Sequence, residues 1–367
     1  MFRSVHIEGF RGLKDFSMKN LGRVNLLVGT NNSGKSSILE GLELLSSRGS
    51  FRTIWNATFR RGERFFVEDE TRRYSEGDVS HLFFGHGFQV GSTIAVSAET
   101  DAASEAVVVE IIPQNEEQGS LFSEQGSVRL TEDLSLRVSW QNGRPHSIVE
   151  IPLSPRGGLN SRNLSRRPNE AIESPPVQFI STSALSITDV LTLFDEVVLS
   201  PEEELLVEAL QTIEPSIDRI ASIGSDRSRY PGSSRQGGIV VKLRDFPDRI
   251  PIGSMGDGIW RMLGIALSLV NAENGIVLID EIDTGLHYSV LSNMWRLVQA
   301  TANRLNVQVF ATTHSRDCYE SLATISREGV TDNSCVTIQR IESDSPVATA
   351  FTEQEIVAAS ERGIEVR

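Results

Sequence analysis

The chain has 367 residues, 39% of them hydrophobic, and a formal net charge of −14 at pH 7. This hydrophobic content can bury a substantial core, so the composition excludes a chain that is disordered throughout. The acidic balance argues against a protein that coats nucleic acid with its whole surface, because neutralising phosphates requires clustered cations.

The first predicted elements are two strands and a helix. Residues 2–10 and 23–28 have the composition of strands, and the second strand runs directly into a glycine-containing loop at residues 29–36. After the loop, apolar residues recur at helical spacing from Ile38 to Leu45 and predict a helix over residues 36–47. Strand, glycine loop and helix therefore follow in the order that phosphate binding requires.

The loop fits the pattern G-x-x-x-x-G-K-S/T. Its glycines let backbone N–H groups point at phosphate oxygens, and the following helix offers its positive end. Lys35 would neutralise the β- and γ-phosphates, and Ser36 would offer its hydroxyl to Mg²⁺, which takes few protein ligands and keeps several waters. The predicted nucleotide-binding residues are Gly29, Asn31, Asn32, Ser33, Gly34, Lys35, Ser36 and Ser37.

The middle of the chain, residues 91–238, contains segments that predict different kinds of structure. Alternating segments in residues 91–153 predict an antiparallel sheet, and residues 156–176, rich in Arg, Asn, Ser and Pro, predict a loop or linker. Residues 186–223 read as helical, with Pro201 and a run of glutamates suited to the start of one helix. Residues 225–238, rich in Ser, Gly and Arg, predict a second loop.

Regular structure resumes at residue 239. The predicted elements are strands at 239–243, 275–280, 307–312 and 336–341 and a closing helix at 353–361. The chain thus divides into an N-terminal lobe at 1–153, a linker and helical insertion at 154–238 and a C-terminal lobe at 239–367.

Two carboxylates end the strand at 275–280. Four apolar residues, Ile276 to Ile279, indicate a buried parallel strand, and Asp280 and Glu281 follow them. Asp280 would hold Mg²⁺ directly or through water, whereas Glu281 would point towards a water placed to attack the γ-phosphate. Acidic residues are also common at solvated strand ends, so the pair indicates a nucleotide site only together with the phosphate loop upstream.

A histidine follows the next strand, in the sequence Ala311-Thr312-Thr313-His314-Ser315. A lone histidine is more often structural than functional. At the carboxyl end of a parallel strand, however, it lies on the edge where open α/β sheets bind ligands. His314 could therefore hydrogen-bond the γ-phosphate or the attacking water.

About twenty residues before Asp280, the segment Ser254-Met255-Gly256-Asp257-Gly258 precedes a further helical stretch. In order, these four elements resemble the ABC-type ATPase heads of the SMC, RecF and OLD group. The opening residues 7–13 resemble the first strand and turn of that group. The resemblance covers residues 1–50 and 235–367, and the middle carries no assignable motif.

The resemblance implies an α/β P-loop NTPase fold of the ABC-ATPase type. It has a mixed or parallel core sheet, an antiparallel β-subdomain and a helical insertion. It also implies that ATP and Mg²⁺ lie between two copies of the chain, so that hydrolysis requires a homodimer. One copy would supply Lys35, Ser36, Asp280, Glu281 and His314, and the other Ser254 and Gly256. Gln89 is the nearest candidate for the glutamine that such heads present between their halves.

The resemblance leaves open what the ATPase controls. Residues between the two halves carry no heptads, which excludes an SMC arm, and too few residues follow His314 for a TOPRIM nuclease domain. Our leading expectation is a compact OLD-like or RecF-like switch for an effector, in antiviral defence with a separate nuclease. The alternatives are a RecF-like DNA-repair ATPase that clamps DNA itself, and a slow nucleotide-sensing scaffold. A phosphate-loop kinase is disfavoured, because a signature-like segment precedes the carboxylates.

Local arginine patches could contact DNA phosphates or could be solvated loop surface. The three patches contain arginines 48, 52, 60, 61, 64, 72 and 73, then 156, 162, 166 and 167, then 227, 229 and 235.

Membranes and export are not expected. Residues 1–10 alternate charged and apolar side chains, which favours a strand over a secretion signal. Asn271 and Glu273 interrupt the longest apolar run, which falls short of the ~20 apolar residues that span a bilayer. Cys318 and Cys335 have no metal-ligand spacing and no disulfide framework, in agreement with a reducing compartment. We therefore expect a cytoplasmic protein.

Overall fold

A computed structural model describes residues 1–69, 72–114, 133–143, 145–160, 174–183, 185–224, 237–328 and 336–362. The strands are β1 (Phe2–Phe10), β2 (Leu13–Met18), β3 (Val24–Val28), β4 (Arg64–Asp69), β5 (Arg72–Asp78), β6 (Thr93–Thr100), β7 (Ser104–Pro113), β8 (Leu134–Asn142), β9 (Pro145–Pro152), β10 (Gly158–Asn160), β11 (Val177–Ile180), β12 (Ile217–Ile223), β13 (Gly238–Leu243), β14 (Arg249–Pro251), β15 (Ile276–Ile279), β16 (Gln308–Thr312), β17 (Val336–Arg340) and β18 (Thr349–Thr352). The helices are α1 (Lys35–Ser46), α2 (Phe51–Arg60), α3 (Ile187–Val197), α4 (Glu203–Gln211), α5 (Asp257–Val270), α6 (Tyr288–Arg304), α7 (Arg316–Glu328) and α8 (Glu353–Glu361).

The chain forms two compact units that are interleaved along the sequence. The first unit contains residues 1–20, 36–174 and 343–348, and the second contains residues 21–35, 175–342 and 349–367. Among the described residues, no helix combines the length and the apolar character needed to cross a membrane.

The first unit is built on antiparallel strands. Its six-stranded sheet has the order β2-β1-β6-β7-β8-β9, and a three-stranded sheet has the order β10-β5-β4. Along β6 the buried residues are Ile94, Val96 and Ala98, which alternate with more exposed neighbours. Such alternation places every second side chain on one face, as expected for a sheet with one buried side. The predicted antiparallel subdomain is confirmed.

The second unit contains a six-stranded mixed sheet in the order β11-β15-β16-β3-β17-β18. The first five of these strands run parallel to their neighbours, and β18 is antiparallel to β17. Strands β3, β15 and β16 are buried at every residue, which is typical of parallel strands covered on both faces. The predicted α/β fold class with a mixed core sheet is confirmed.

Helix α5 lies at the centre of the second unit and contacts β11, β15, α3, α4 and α6. Trp295, Phe194 and Phe310 are fully buried in this unit. Burial of side chains of this kind stabilises the fold by about 1.5–3 kcal/mol each. The parallel sheet is thereby held on a rigid helical layer, which fixes the positions of the loops at its carboxyl edge.

The structure corrects one part of the predicted helical segment at 186–223. Helices α3 and α4 lie within it, and α4 begins just after Pro201 as expected, but Ile217–Ile223 is strand β12. Its isoleucines are three residues apart, which imitates helical spacing. In β12 a register shift between Ile217 and Arg219 disturbs the two-residue alternation, and Ile217 and Ile220 are both buried against the core.

The predicted loops are described only in part. The predicted linker at 156–176 includes the short strand β10, which pairs with β5. The rest of that linker from 161 to 173, and residues 225–236 of the second predicted loop, lie outside the described residues. Cys335 also lies outside them, whereas Cys318 is buried as a free thiol.

Candidate nucleotide site

Three neighbouring parallel strands bring the predicted site residues to one edge of the sheet. Strand β16 lies between β15 and β3, with Ile279 beside Ala311 and Thr312 beside Leu27. The carboxyl ends of parallel strands share an edge, and ligands of open α/β sheets bind there. The phosphate loop follows β3, the two carboxylates follow β15, and His314 follows β16, so all three segments begin at this edge.

The phosphate loop requires glycine at its first position. Gly29 has φ +151°, and a Cβ there would lie 2.3 Å from the Ile341 carbonyl oxygen and 3.1 Å from Ser33 Oγ. The first distance is shorter than real Cβ contacts allow. Gly34 has φ +95°, which also favours glycine. The backbone conformation and the close neighbouring atoms therefore explain why the loop has glycine at positions 29 and 34.

Lys35 folds back over the loop that precedes it. Its ammonium donates hydrogen bonds to the carbonyl oxygens of Gly29 at 3.0 Å and Thr30 at 2.7 Å, and to Ser33 Oγ at 3.3 Å. Lys35 is 5% exposed. Burial lowers the pKa of its ammonium to about 8, while the charges of Asp280 and Glu281 act in the opposite direction. A buried cation thus lies within the electrostatic reach of both carboxylates.

Thr312 joins the two carboxylate residues. Its hydroxyl donates a hydrogen bond to Asp280 Oδ1 at 2.7 Å and accepts one from the Glu281 backbone N–H at 2.8 Å. Thr312 is 1% exposed. One hydroxyl can fill both roles because it carries one donor and two acceptor lone pairs. Sequence reasoning placed Thr312 in the strand without giving it a role.

Glu281 has a left-handed backbone, with φ +48°. Such a conformation costs a non-glycine residue about 1–2 kcal/mol, and strain of this kind clusters at functional sites. The carboxylate Oε2 accepts a hydrogen bond from Thr284 Oγ1 at 3.2 Å. The separate tasks expected for Asp280 and Glu281 stay a prediction.

Arg261 of α5 clamps the backbone at the end of β15. Its guanidinium donates hydrogen bonds to the carbonyl oxygens of Asp280 at 2.7 Å, Glu281 at 2.8 Å and Ser181 at 2.8 Å. Arg261 is 2% exposed, and burial lowers its pKa while Asp280, Asp283 and Glu281 oppose that shift. Sequence reasoning missed Arg261. A cation between the apolar residues Trp260 and Met262 of α5 was the available signal.

The predicted signature segment lies on the surface of the second unit. Ser254 belongs to a 3₁₀ turn, Ile252–Met255, and Gly256 follows it with φ +97° at the start of α5. Both residues are exposed. A Cβ at Gly258 would lie 3.0 Å from the Gly285 carbonyl oxygen, so this segment packs closely against the loop that follows the carboxylates.

The remaining predicted residues occupy the following positions. Asn31 and Asn32 are exposed, Ser33 is buried, and Ser36 and Ser37 follow Lys35 in the first turn of α1. His314 is exposed at the end of β16, two residues after Thr312. Gln89 is exposed in the first unit, where its N–H donates to Ser92 Oγ.

Several arginines of the first predicted patch are engaged within the protein. Arg60 pairs with Glu43, and Arg61 Nε lies 3.0 Å from a carboxylate oxygen of Glu40. The guanidinium of Arg48 lies 4.2 Å from the centroid of an aromatic ring. These contacts compete with phosphate binding. Arginines 162, 166, 167, 227, 229 and 235 lie outside the described residues.

The residue types at the two predicted metal-binding positions, each taken by itself, suit a hard divalent cation. Asp280 is a partly exposed carboxylate at the end of a rigid strand, and Ser36 supplies a hydroxyl in the first turn of α1. Carboxylate, hydroxyl and water oxygens suit Mg²⁺, which is bound through one or two protein ligands together with substrate phosphates.

Comparisons with known proteins indicate an ATPase domain. The AAA ATPase domain family matches residues 1–109 and 205–318, which are more than half of the chain. A relative from Helicobacter pylori, named ATP/GTP phosphatase, is 20% identical over 353 residues, covering 89% of each chain. The DNA replication and repair protein RecF of Clostridioides difficile is 32% identical over 85 residues, covering 23% of each chain.

Among solved structures, the similar ones include an Smc head domain with an extended coiled coil, bound to the C-terminal domain of ScpA from Pyrococcus furiosus. Its TM-score is 0.48 at 13% identity, and the match covers 98% of each chain.

Proposed function

This chain belongs to the AAA ATPase domain family, and on that premise we propose that it binds ATP with Mg²⁺ and hydrolyses it between two copies of itself. The cycle of binding and hydrolysis would then switch an effector. The observation that carries this proposal is the buried ammonium of Lys35, held inside the phosphate loop near Asp280 and Glu281.

Lys35 is the predicted contact of the β- and γ-phosphates. Its hydrogen bonds to the Gly29 and Thr30 carbonyls hold the ammonium in the loop before nucleotide arrives. A preorganised cation stabilises negative charge on the transferring phosphoryl group without reorganisation during the reaction. The predicted backbone donors of residues 29–34 and the amino end of α1 add to the same effect.

Asp280 and Ser36 are the predicted holders of Mg²⁺, which would neutralise charge on the phosphates. Glu281 is the predicted base that orients or deprotonates the attacking water, and His314 is the predicted second contact to that water or to the γ-phosphate. The Thr312 hydroxyl fixes Asp280 and the Glu281 backbone relative to each other. Because Thr312 contacts the side chain of Asp280 but only the backbone of Glu281, these contacts support separate tasks for the two carboxylates.

The second copy is proposed to contribute Ser254 and Gly256. Both residues are exposed, so their polar groups can meet another molecule. The signature segment also packs on the loop after the carboxylates, at Gly258 and Gly285. Contact with a partner at the signature would therefore act on the loop that carries Glu281.

The effector, on this proposal, is a separately encoded nuclease in cytoplasmic antiviral defence. A second candidate, a RecF-like ATPase that clamps DNA directly, is favoured by the 32% identity to a RecF protein over 85 residues. DNA contact through local arginines should then weaken steeply as salt rises. A slow nucleotide sensor, which binds ATP with negligible turnover, is the third candidate.

The test is ATP turnover measured against protein concentration, with parallel mass measurement, for the wild type and for Glu281→Gln. We expect turnover to rise more than linearly with concentration. The variant should bind ATP, accumulate as a nucleotide-bound dimer and lose turnover by about 10²–10⁴-fold, which is the contribution of a general base. Glu320→Gln is the matched control, because it makes the same change at a partly exposed position of α7, where the carboxylate pairs with Arg316.

Each other outcome selects an alternative. Normal turnover in Glu281→Gln would remove the proposed base. Linear turnover would contradict the dimer, and its absence in the wild type would favour the nucleotide sensor. Stimulation by DNA, with a steep salt dependence of binding, would favour the direct clamp.

A further inference from the structure

Two histidines face each other in the loop between β5 and β6. His81 belongs to a 3₁₀ turn, Ser80–Leu82, and His86 lies five residues further along. Their Nδ1 atoms are 3.3 Å apart, and the ring centroids are 5.4 Å apart with the planes tilted by 60°. The rings therefore present nitrogen to nitrogen instead of stacking, and both side chains are accessible to solvent.

This separation matches a shared metal ion. Zinc binds imidazole nitrogen at about 2.0–2.1 Å in tetrahedral geometry, which places two such ligands roughly 3.3 Å apart. A hydrogen bond between the rings would need a proton on one of the two Nδ1 atoms. A shared metal ion would instead bind the lone pairs of both Nδ1 atoms. Imidazole is a preferred ligand of divalent transition metals and a poor one for Mg²⁺.

Asp78 stands behind His81 as an outer carboxylate. Its Oδ2 lies 3.6 Å from His81 Nε2, on the far side of the ring from His86. Its Oδ1 accepts hydrogen bonds from the Ser80 backbone N–H at 2.9 Å and the Ser80 hydroxyl at 2.6 Å. Metal-binding histidines commonly direct their second nitrogen to such a carboxylate, which fixes the ring and the tautomer.

The backbone of the loop is already shaped to bring the rings together. His86 has φ +60°, a left-handed conformation that non-glycine residues adopt uncommonly. Its N–H donates to the Phe83 carbonyl oxygen at 3.1 Å, and Phe83 is buried. Arg11 anchors the preceding turn, with its backbone N–H 2.8 Å from the Leu82 carbonyl oxygen.

We propose that His81 and His86 bind a divalent transition-metal ion such as Zn²⁺ through their Nδ1 atoms. Water completes the coordination, and Asp78 orients His81. The same Arg11 that holds this loop also pairs with Glu40 of α1 at 2.5 Å, so the ion would fix a segment that is joined to the helix beginning at Lys35.

A second cluster of side chains in the same protein could compete for the metal ion. Within the described residues, His6, Glu8 and Asp15 place their ligand atoms within 4.8 Å of one another. His6 Nε2 already lies 3.0 Å from Asp15 and 3.4 Å from Glu8, so its far nitrogen is paired with both carboxylates. This cluster contains a single imidazole, which makes it the less favourable transition-metal site.

The experiment is a Zn²⁺ titration by calorimetry on the full chain, without a histidine tag and without nucleotide, together with Co²⁺ absorption spectra. The variants are His81→Gln and His86→Asn; asparagine tolerates the positive φ at residue 86. Each should weaken the tightest Zn²⁺ site at least tenfold and reduce the tetrahedral Co²⁺ bands. Asp78→Asn should weaken it about 10-fold or more, as outer carboxylates do.

His6→Gln is the matched control and should change the tightest site less than twofold. Circular dichroism and ATP binding should be unchanged in all four variants, which separates metal binding from folding and from the proposed ATPase function. If His81→Gln and His86→Asn retain the tightest site, or if His6→Gln removes it, the proposal is overturned.

Discussion

Replacing Thr312 by valine removes one hydroxyl while keeping the branched shape of a side chain that is 1% exposed. The hydroxyl donates to Asp280 at 2.7 Å and accepts from the Glu281 N–H at 2.8 Å. Its loss leaves a backbone donor unsatisfied, which costs about 1–3 kcal/mol, and removes a hydrogen bond to a charged group worth about 1.5–3 kcal/mol.

We expect Thr312→Val to lower the free energy of unfolding by about 2 kcal/mol or more. If a similar amount of carboxylate positioning is lost in the transition state, turnover at saturating ATP falls by about 10–100-fold, because each 1.36 kcal/mol is a factor of ten. The affinity for ATP should change little, since Thr312 is not a predicted phosphate contact.

The assays are steady-state turnover, equilibrium ATP binding and urea unfolding. Thr312→Ser restores the hydroxyl and should recover most of the activity. Thr324→Val is the matched control, because its hydroxyl donates only to the Glu320 carbonyl within α7. Turnover in Thr312→Val within twofold of the wild type would refute the positioning role.

Two further predictions concern buried cations. Arg261→Lys keeps the charge but loses the fork that reaches three carbonyl oxygens, so the free energy of unfolding should fall by about 1.5–3 kcal/mol or more and turnover should fall with it. Urea unfolding that matches the wild type would contradict the clamp. Burial lowers the pKa of Lys35 to about 8, and only its charged form attracts phosphate. ATP affinity should therefore be constant below pH 7 and weaken above pH 8, approaching tenfold per pH unit; an unchanged Kd up to pH 9.5 would show that the ammonium stays charged.

The parts of the site that depend on local sequence could be predicted. The phosphate loop needs particular residues at fixed spacing, and the strand before Asp280 is a continuous apolar run. The strands predicted at 23–28, 275–280 and 307–312 are confirmed as β3, β15 and β16. Four short motifs also predicted an ATPase domain, and the match to the AAA ATPase domain family confirms an ATPase domain.

Thr312 and Arg261 could not be assigned because their partners are distant in sequence. Thr312 meets Asp280 only because β16 pairs with β15 in a register that sets Ala311 beside Ile279. A shift of one residue would turn the hydroxyl to the other face of the sheet. Arg261 acquires its role from the packing of α5 on β15 and β11.

The error at Ile217–Ile223 has a different cause. Residues three apart are apolar both on one side of a helix and in this irregular strand, so the pattern alone could not distinguish them. The pairing of β12 with β13 decides the outcome, and that pairing joins segments on either side of residues 225–236. The spacing of the isoleucines in this short segment was therefore not sufficient to predict whether it forms a helix or a strand.

The left-handed backbone of Glu281 has a consequence for laboratory evolution. Glycine adopts φ +48° without the cost of about 1–2 kcal/mol that glutamate bears, and this relief offsets the roughly 0.5–1 kcal/mol that glycine adds through the freedom of the unfolded chain. Glu281→Gly should therefore keep the protein folded while removing the proposed base, and a selection for heat resistance alone would not eliminate it. Activity must be part of the screen if position 281 is left free to vary.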